Sequence, residues 1–296
     1  MRVAVTGATG MVGTALTRAL HTRGHDVLAV SRREVPGGIR WDPARGSVDA
    51  GALGAVAAVV HLAGENLAGG RWTPRRKEQL RQSRVAVTRW LAETLAAANG
   101  PRILISASAV GIYGDRGDET LTEASTLGDD FLARLAADWE AAADPARHAG
   151  MRVVHPRFGV VLSPAGGALA KLLLPFRLGL GGPFGNGNQW MSWITIDDVV
   201  SGIEHALATD SIDGPVNFTA PDPVRNAGFA SALGQALHRP SFLPLPALAL
   251  RLALGEMADA TLLASQRAVP AELARSGYQF KDTRLGPALQ RLLAPG

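Results

Sequence analysis

The stretch ISASAVGIYGD, residues 105–115, places hydroxyl groups that can exchange protons at the end of a short apolar run. Ser108 can donate a hydrogen bond to a carbonyl oxygen, and Tyr113 can act as an acid from the loop that follows. A phenol has a reference pKa of about 10, so Tyr113 needs a nearby cation to act as a base at neutral pH. We therefore take Ser108 and Tyr113 as candidate catalytic residues. The alternative is that both side chains only pack and hydrogen-bond within the fold.

A second group of residues, near the start of the chain, is suited to binding a dinucleotide. In VAVTGATGMVGTAL, residues 3–16, three glycines follow an apolar run and lead into a helical pattern. Gly7 permits a tight turn, Gly10 lets a phosphate approach the backbone, and Gly13 lets the helix pack on the strand. The free N–H groups and the positive end of the helix dipole attract a pyrophosphate. The residues expected to contact it are Gly7, Thr9, Gly10, Met11, Val12 and Gly13.

The end of the next apolar run indicates which dinucleotide fits. An acidic residue there would bind the ribose 2′-hydroxyl of NAD. In this chain DVLAV leads instead into Ser31, Arg32 and Arg33. Guanidinium groups suit a 2′-phosphate because they form charge-assisted, fork-shaped hydrogen bonds. The sequence therefore favours NADP (NADPH) over NAD. The alternative is that both arginines are only exposed loop residues.

These residues need a scaffold that brings strand ends together, and the pattern of the chain predicts one. Short apolar runs alternate with longer stretches rich in Ala and Leu at helical spacing. Candidate strands are 2–6, 26–30, 57–62, 102–107, 151–156 and 215–219, and candidate helices are 11–23, 75–98 and 130–143. This alternation predicts an α/β fold of the Rossmann type, a doubly wound parallel sheet with helices on both faces.

The pattern changes beyond about residue 165. Glycine and proline cluster in LGLGGPFGNGN, residues 178–188, which predicts a long loop that is either a substrate lid or a plain connector. We expect an NADP-binding domain over residues 1–165, with its sheet completed by about 190–220. Residues 166–296 follow as a smaller region. We expect it to be mainly helical and to combine the substrate side of the site with the C-terminal helices.

Composition excludes several classes of site. The 296 residues are 47% hydrophobic, which is ample for a buried core. The absence of cysteine rules out disulfides and thiolate metal sites, and the seven histidines show no ligand spacing, so no metal is expected. The formal net charge is +4, and the one basic run, Arg75 to Lys77, is too short to indicate a nucleic-acid surface.

The same features bear on location and partners. No apolar segment reaches the ~20 residues of a membrane span, and the opening MRVAVTG has no targeting pattern. We therefore expect a cytoplasmic protein, a monomer or a homodimer, that binds a small-molecule substrate and has no nucleic-acid or membrane partner.

Five motifs extend the pattern along the chain: GATGMVG, VVHLAG at 59–64, ISASAVGIYGD, RFGVVL at 157–162 and WITIDDVV at 193–200. Together they resemble the extended short-chain dehydrogenase/reductase superfamily of the epimerase/dehydratase type. Longer stretches are similar to one atypical branch, often called epimerase family proteins, which carries a C-terminal domain of unknown function. They are GENLAGGRWTPRRKEQLRQSR, FLARLAADWE and GEMADATLLASQRAVPAEL, so the resemblance covers essentially the whole chain.

This resemblance implies a cofactor site and a reaction class. By similarity, the residues along NADP are Arg32, Arg33, Leu62, Ala63, Gln79, Arg84 and Val160, and we count Ser31, Gly64 and Arg157 with them. The implied activity is that of an NADP-dependent oxidoreductase or epimerase, in which the nicotinamide carries the hydride. Its substrate would be an unidentified polar small molecule, with a sugar nucleotide as one candidate. Candidate substrate contacts are Glu65, Asn66 and Trp193. The alternative for Glu65 and Asn66 is a role in a turn or a helix cap.

The superfamily's usual catalytic pair is missing. That pair is Tyr-x-x-x-Lys on one helix, in which the ammonium lowers the pKa of the phenol and holds the ribose. Neither Tyr113 nor Tyr278 is followed by a lysine at that spacing, and Phe131 and Leu135 occupy the corresponding helix positions. Two hypotheses remain open. The chain is either an enzyme with another proton donor or a catalytically weak NADP-binding protein that senses cofactor state or serves a partner.

Overall fold

A nine-stranded sheet forms the centre of the computed structural model, which describes residues 1–33, 35–98 and 100–294. Small two-stranded sheets lie beside it. In chain order the strands are β1 (Arg2–Thr6), β2 (Asp26–Ser31), β3 (Ile39–Asp42), β4 (Ser47–Val48), β5 (Ala58–His61), β6 (Ile103–Ser106), β7 (Ser108–Ala109), β8 (Thr120–Leu121), β9 (Arg152–Phe158), β10 (Val160–Leu162), β11 (Trp190–Met191), β12 (Trp193–Thr195), β13 (Gly214–Phe218), β14 (Val224–Arg225) and β15 (Arg267–Ala268).

The order of the strands creates a crevice at the centre of the sheet. The main sheet runs β13-β9-β6-β5-β1-β2-β3-β4, with β7 also paired to β9. Its neighbours are parallel, except that β3 and β4 form an antiparallel hairpin. The strand order reverses at β1, where the chain leaves for β2 on one side and later returns to β5 on the other. Ligands bind at such switch points in open α/β sheets. The predicted doubly wound parallel sheet is confirmed.

Twelve α-helices connect and cover the strands within the described residues. They are α1 (Met11–Thr22), α2 (Ala50–Gly54), α3 (Pro74–Arg81), α4 (Val87–Ala98), α5 (Phe131–Ala141), α6 (Asp144–His148), α7 (Gly167–Arg177), α8 (Ile196–Ala208), α9 (Asn226–Ala236), α10 (Ala247–Leu254), α11 (Ala271–Arg275) and α12 (Leu285–Leu293). A π-helical turn, Gln82–Ala86, joins α3 to α4 within the single helix predicted at 75–98. None of the described helices is both long and apolar enough to cross a lipid bilayer.

Side chains that alternate along the strands build a separate core on each face of the sheet. On one face, Val3 and Val5 pack with the α1 residues Leu16 and Leu20 and with α8. On the other face, Ala4, Val59 and Leu104 pack with α4 and with the short helices α2 and α6. This division follows from the two-residue period of a strand, which sends neighbouring side chains to opposite faces.

The C-terminal portion has a core of its own, although it also contributes to the sheet. Helices α7, α9 and α12 enclose Leu173, Phe229, Leu233 and Leu289. The last strand of the main sheet, β13, lies at Gly214–Phe218, within the range expected to complete the sheet. The division of the chain into domains at residue 165 stays a prediction.

One buried carboxylate joins the C-terminal segment to the sheet portion. Asp198, in the first turn of α8, is only 1% exposed. It accepts hydrogen bonds from the Tyr278 hydroxyl at 2.9 Å and from the backbone N–H groups of Lys281 at 2.8 Å and Asp282 at 3.0 Å. The pair Asp197–Asp198 therefore belongs to a helix start and its tertiary contacts. No group of three or more metal-ligating side chains comes together within the described residues.

Candidate functional site

A cleft of about 980 Å³ opens along the carboxyl ends of β1, β2 and β5. Ten of the residues predicted to bind cofactor or substrate line it: Gly7, Thr9, Gly10, Ser31, Arg32, Leu62, Ala63, Gly64, Glu65 and Gln79. They come from three strand ends and from α3, so segments distant in the chain meet at one site. The arrangement follows from the parallel sheet, in which all carboxyl ends lie at the same edge.

The turn between β1 and α1 has no room for side chains. Gly7 has φ +68°, and a Cβ on it would lie 2.9 Å from the carbonyl carbon of Leu62. A Cβ on Gly13 would lie 2.2 Å from the Gly7 oxygen, so α1 begins in direct backbone contact with the turn. Gly10 is the N-cap of α1, and no side chain among the described residues caps this helix. Its first turn also holds no acidic residue. This end of α1 is therefore a free anion site facing the cleft.

The wall at the end of β2 includes residues that the sequence did not reveal. The β3–β4 hairpin brings Trp41, Pro43, Ala44 and Gly46 to the cleft, and Trp90 faces them from α4. The Trp41 and Trp90 rings lie 6.0 Å apart between centroids. These contacts join short strands to a distant helix, so no spacing in the sequence signals them. An aromatic wall of this kind can contact a planar base.

The two arginines after β2 differ in position. Arg32 lines the cleft, whereas Arg33 lies outside its lining. Both are exposed, and the backbone N–H of Arg33 donates to the Ser31 hydroxyl at 3.1 Å, which holds the turn. Arg32 is thus the guanidinium on the wall of the cleft, and a cofactor role for Arg33 stays a prediction.

Arg84 lies behind the cleft and supports one of its walls. It is 7% exposed, donates from Nη2 to the Glu65 carbonyl oxygen at 2.9 Å, and lies 5.1 Å from the Trp139 ring centroid. A Cβ on Gly64 would lie 3.5 Å from its guanidinium carbon. Burial, with a smaller contribution from the charge of Arg76, lowers the pKa of Arg84 to about 10, so it stays cationic at neutral pH. Arg84 therefore adds a buried positive charge beside the cleft.

A buried histidine connects the ends of β1 and β5. The Thr6 hydroxyl oxygen accepts hydrogen bonds from the backbone N–H groups of Leu62 at 3.1 Å and Ala63 at 3.2 Å. Its own hydrogen therefore points at Nδ1 of His61, 2.7 Å away. The hydroxyl holds the backbone that lines the cleft, and His61 holds the hydroxyl.

The ring of His61 continues the chain of hydrogen bonds to two helices. Because Nδ1 accepts, the neutral ring carries its proton on Nε2, which donates to the Thr88 hydroxyl at 3.0 Å. Trp139 of α5 donates to the same oxygen at 2.9 Å. His61 is completely buried, and this burial lowers its pKa to about 4. The ring is therefore uncharged at neutral pH.

Tyr113 does not lie on the cleft. It is fully buried, its hydroxyl donates to Asn217 Oδ1 at 2.7 Å, and the same oxygen accepts from Arg157 Nη1 at 2.9 Å. Burial is the main reason that the pKa of Tyr113 is raised above its ordinary value. The candidate role of Tyr113 as a proton donor is therefore corrected: its hydroxyl connects two buried side chains and presents no proton to a ligand.

The same buried network takes up Ser108 and Arg157. The Ser108 hydroxyl donates to Glu140 Oε1 at 2.6 Å. Arg157 donates two hydrogen bonds to Glu140, from Nε to Oε1 at 2.8 Å and from Nη2 to Oε2 at 2.9 Å. The side chain of Arg157 is 5% exposed and that of Glu140 is 14% exposed. The predictions of a catalytic Ser108 and a cofactor-binding Arg157 are corrected in the same way, since both side chains are committed to the carboxylate of Glu140.

The helix positions of the missing Tyr-Lys pair are filled by apolar packing. Leu135 is 2% exposed and belongs to a cluster with Trp72, Leu80 and Met257. Phe131 packs edge-on against Trp72, with ring centroids 5.3 Å apart. No group at either position can carry a proton or hold a ribose.

Four further predicted contacts also lie off the cleft. Trp193 is fully buried and donates from Nε1 to the Asp222 carbonyl oxygen at 2.9 Å, so its prediction as a substrate contact is corrected. Val160 of β10 is the backbone pairing partner of Trp193, which lies on β12. Met11 packs against Gly166 in the neighbouring loop, and Val12 packs against the core.

Asn66 follows the cleft-lining Glu65 but makes local contacts. Its Oδ1 accepts from the Ala68 N–H at 2.9 Å, and its backbone oxygen accepts from Arg76. Its side chain thus fits the alternative turn role. Glu65 remains on the cleft, 3.4 Å from Arg76 Nη1, with its side chain 46% exposed.

A doubly wound parallel sheet with a glycine turn and an uncapped helix start at its switch point defines a Rossmann-type nucleotide-binding protein. The model of the NAD dependent epimerase/dehydratase family matches residues 3–218, and the chain belongs to that family. Residues 245–292 match a domain of unknown function, DUF1731. The resemblance read from the motifs is confirmed over both parts.

Relatives resemble the chain over nearly its whole length. An epimerase family protein of Mycobacterium bovis is 46% identical over 289 residues, 97% of this chain and 96% of the relative. The human epimerase family protein SDR39U1 is 40% identical over 298 residues, 99% of this chain and 100% of the relative.

Two solved structures share the fold. The crystal structure of human SDR39U1 (isoform 2) with NADPH has a TM-score of 0.90 and 39% identity, over 99% of each chain. A nucleoside-diphosphate sugar epimerase of Corynebacterium glutamicum has a TM-score of 0.82 and 42% identity. The match covers 99% of this chain and 58% of that one.

The burial of His61 predicts a pH-dependent stability. An unfolded histidine takes up a proton below a pH of about 6.5, whereas His61 in the fold does so only near pH 4. Between these values the unfolded state binds more protons, so stability is lost as the pH falls. We expect this residue to lower the free energy of unfolding by about 2 kcal/mol between pH 7 and pH 5.

Urea unfolding followed by circular dichroism at both pH values measures this effect. His61→Gln, which does not titrate, should reduce the pH dependence by that amount, and the exposed His21→Gln serves as the matched control. A dependence that persists in full in His61→Gln would contradict the assignment.

The position of Tyr113 predicts a structural effect. In Tyr113→Phe the Asn217 amide oxygen and one Arg157 N–H lose a buried partner, so the free energy of unfolding should fall by roughly 1–3 kcal/mol. The affinity for NADPH should stay within about twofold of the parent, because the hydroxyl does not face the cleft. Chemical denaturation and calorimetric titration test both parts. A large loss of affinity at unchanged stability would place the hydroxyl on the ligand instead.

Proposed function

We propose that the cleft binds NADPH and that the chain is an NADP(H)-dependent oxidoreductase or epimerase acting on a small molecule. One observation carries the proposal: the uncapped start of α1 and the guanidinium of Arg32 face the same cleft. A helix N-terminus suits a pyrophosphate and a guanidinium suits a 2′-phosphate. Membership of the NAD dependent epimerase/dehydratase family and the likeness to an NADPH-bound human structure support the same cofactor.

In this proposal the lining residues divide along the length of the dinucleotide. Its pyrophosphate lies on the β1–α1 turn, against Gly7, Thr9 and Gly10 and the backbone at the start of α1. The 2′-phosphate end lies at Ser31 and Arg32, with the adenine against the wall that the β3–β4 hairpin and Trp90 form. The strand-end residues Leu62, Ala63 and Gly64 and the side chain of Gln79 complete the walls.

Buried residues support this site without contacting the ligand. Arg84 holds the Glu65 carbonyl oxygen, and Thr6, fixed by His61, holds the N–H groups of Leu62 and Ala63. These bonds fix the end of β5, so the wall is formed before a ligand arrives. Preorganisation of this kind raises affinity because less ordering is needed on binding.

A bound nicotinamide would supply hydride transfer, and the chain must then supply orientation and a proton. Glu65 is the predicted substrate contact whose carboxylate lies on the cleft and is open to solvent. Arg76 Nη1 donates a hydrogen bond to this carboxylate at 3.4 Å, which helps to hold it in position. We assign Glu65 to substrate binding and to proton exchange with the substrate or with a water molecule.

A second candidate function is a catalytically weak NADPH-binding protein that senses cofactor state or serves a partner. The packing of Phe131 and Leu135 and the commitment of Ser108 and Tyr113 to a buried network favour this alternative. The two functions share the cofactor site and differ only in turnover.

Oxidation of NADPH, followed by its absorbance, separates the two. A panel of sugar nucleotides, ketones and aldehydes provides candidate substrates. Turnover that falls by roughly 10²-fold or more in Glu65→Gln, at unchanged NADPH affinity, supports the enzyme with Glu65 in its assigned role. Tight NADPH binding with no turnover across the panel supports the binding protein.

The two adjacent arginines allow a matched test of cofactor choice. Arg32→Ala should weaken NADPH at least tenfold, because a charge-assisted hydrogen bond contributes roughly 1.5–3 kcal/mol, and should leave the affinity for NADH unchanged. Arg33→Ala removes the same charge outside the cleft lining and should change either affinity by less than about threefold. Calorimetric titration of both variants with both cofactors checks this. Equal losses in the two variants, or tighter NADH than NADPH binding by the parent, would refute the assignment.

A further inference from the structure

An exposed apolar surface lies on the C-terminal portion and consists of residues that do not line the cleft. We define it by six side chains that are 44–73% exposed: Leu178, Leu180, Phe242, Leu243, Leu248 and Leu252. Single exposed leucines are ordinary, but a contiguous apolar patch of several hundred Å² usually marks a binding surface.

Hydrogen bonds place the two segments that carry four of these residues next to each other. The backbone N–H of Leu243 donates to the Gly181 oxygen at 3.2 Å, and that of Leu245 donates to the Pro183 oxygen at 2.8 Å. The Arg239 side chain also donates to the Arg177 carbonyl oxygen at 3.0 Å. The segments 177–185 and 239–247 therefore run side by side, and α10 follows directly.

Helix α10 adds an unpartnered apolar face. Its sequence is ALALRLAL, yet of its eight residues only Leu250 is fully buried. Leu248 and Leu252 lie one turn apart on its exposed side, at 67% and 69% exposure. A helix so apolar would normally bury this side, because burying a leucine is favourable by about 1.5–3 kcal/mol.

The charges around this surface have one sign. Residues 145–196 and 223–255 contain no aspartate or glutamate. Lys171, Arg177 and Arg239 are exposed in these segments, and none of them forms an ion pair with any residue that the structure describes. The surface is therefore apolar with a cationic border.

The carboxylates that follow α10 do not change that sign. Glu256 is paired with Lys77 at 2.6 Å, and Asp259 is paired with Arg251 at 2.9 Å. Each of these acidic residues is thus matched by a cation of its own, and the three cations of the border keep their charge.

This charge pattern selects among possible partners. In a symmetric dimer built on the surface, the same patch would meet itself, and its arginines would face arginines with no carboxylate between them. A lipid bilayer with anionic headgroups offers an apolar layer for leucine and phenylalanine and negative charges for the border.

We propose that this surface binds the interface of an anionic lipid bilayer. Phe242 and the leucines enter the boundary between headgroups and acyl chains, while Lys171, Arg177 and Arg239 contact the headgroups. This is peripheral attachment along the surface, and it replaces the sequence-based expectation that the protein has no membrane partner. It places the cofactor cleft of the same chain beside a membrane.

Co-sedimentation of the full chain with vesicles tests the proposal. Binding to phosphatidylcholine vesicles that contain phosphatidylglycerol should exceed binding to pure phosphatidylcholine vesicles and should weaken with added salt. The triple variant Lys171→Gln, Arg177→Gln, Arg239→Gln should lose on the order of 100-fold in partition to the anionic vesicles. A Leu248→Ser, Leu252→Ser variant should lose at least about tenfold on the same vesicles.

Control variants remove an equal charge, or one exposed leucine, elsewhere. Arg18, Arg89 and Arg102 are exposed outside the surface, and their triple replacement by Gln should leave binding within about threefold of the parent. Leu127→Ser is the apolar control. NADPH titration and circular dichroism confirm that each variant is folded.

Three results would overturn the proposal. They are no sedimentation with anionic vesicles, equal losses in the control and test variants, or a concentration-dependent dimer in light scattering that Leu248→Ser, Leu252→Ser dissociates. The last result would make the surface an interface between copies.

Discussion

The contact between the β1–α1 turn and the end of β5 is the constraint on which the site depends. Gly7 allows this contact because a Cβ on it would lie 2.9 Å from the Leu62 carbonyl carbon, and Gly13 lets α1 begin against the turn because a Cβ on it would lie 2.2 Å from the Gly7 oxygen. The close approach brings the start of α1, the tip of β2 and the end of β5 to one edge of the sheet. Backbone N–H groups, guanidinium groups and strand-end residues then face a common volume, which no one of these segments could form alone.

The buried polar residues around this contact maintain it. Thr6, His61 and Thr88 link β1, β5 and α4 by hydrogen bonds that leave no charge in the core at neutral pH. Arg84 adds a charge on the far side of the same wall, where a carbonyl oxygen and an aromatic ring are its partners. The buried positive charge of Arg84 beside the cleft suits an anionic ligand.

Beyond the cleft, the side chains at the predicted catalytic positions make contacts within the fold. The Ser108 and Tyr113 hydroxyls belong to a network centred on the Arg157–Glu140 pair, and the Tyr-Lys helix positions belong to an apolar cluster. A buried pair with two-pronged geometry is costly to break, since either partner alone would be an uncompensated charge. The network therefore ties the ends of these strands together through side chains that do not line the cleft.

The sequence alone determined the fold and the glycine turn, because both depend on local patterns. Alternating apolar runs specified the parallel sheet, with the six predicted strands found within two residues at each end, and three glycines specified the turn. It could not reveal the β3–β4 hairpin at the cleft, the difference between Arg32 and Arg33, or the burial of Tyr113. The type of a residue determines which chemistry its side chain can perform. The direction in which the side chain points depends on contacts between segments far apart in the chain. Tyr113 meets Arg157 and Asn217 across 44 and 104 residues, and only the packed structure decides that its hydroxyl faces them.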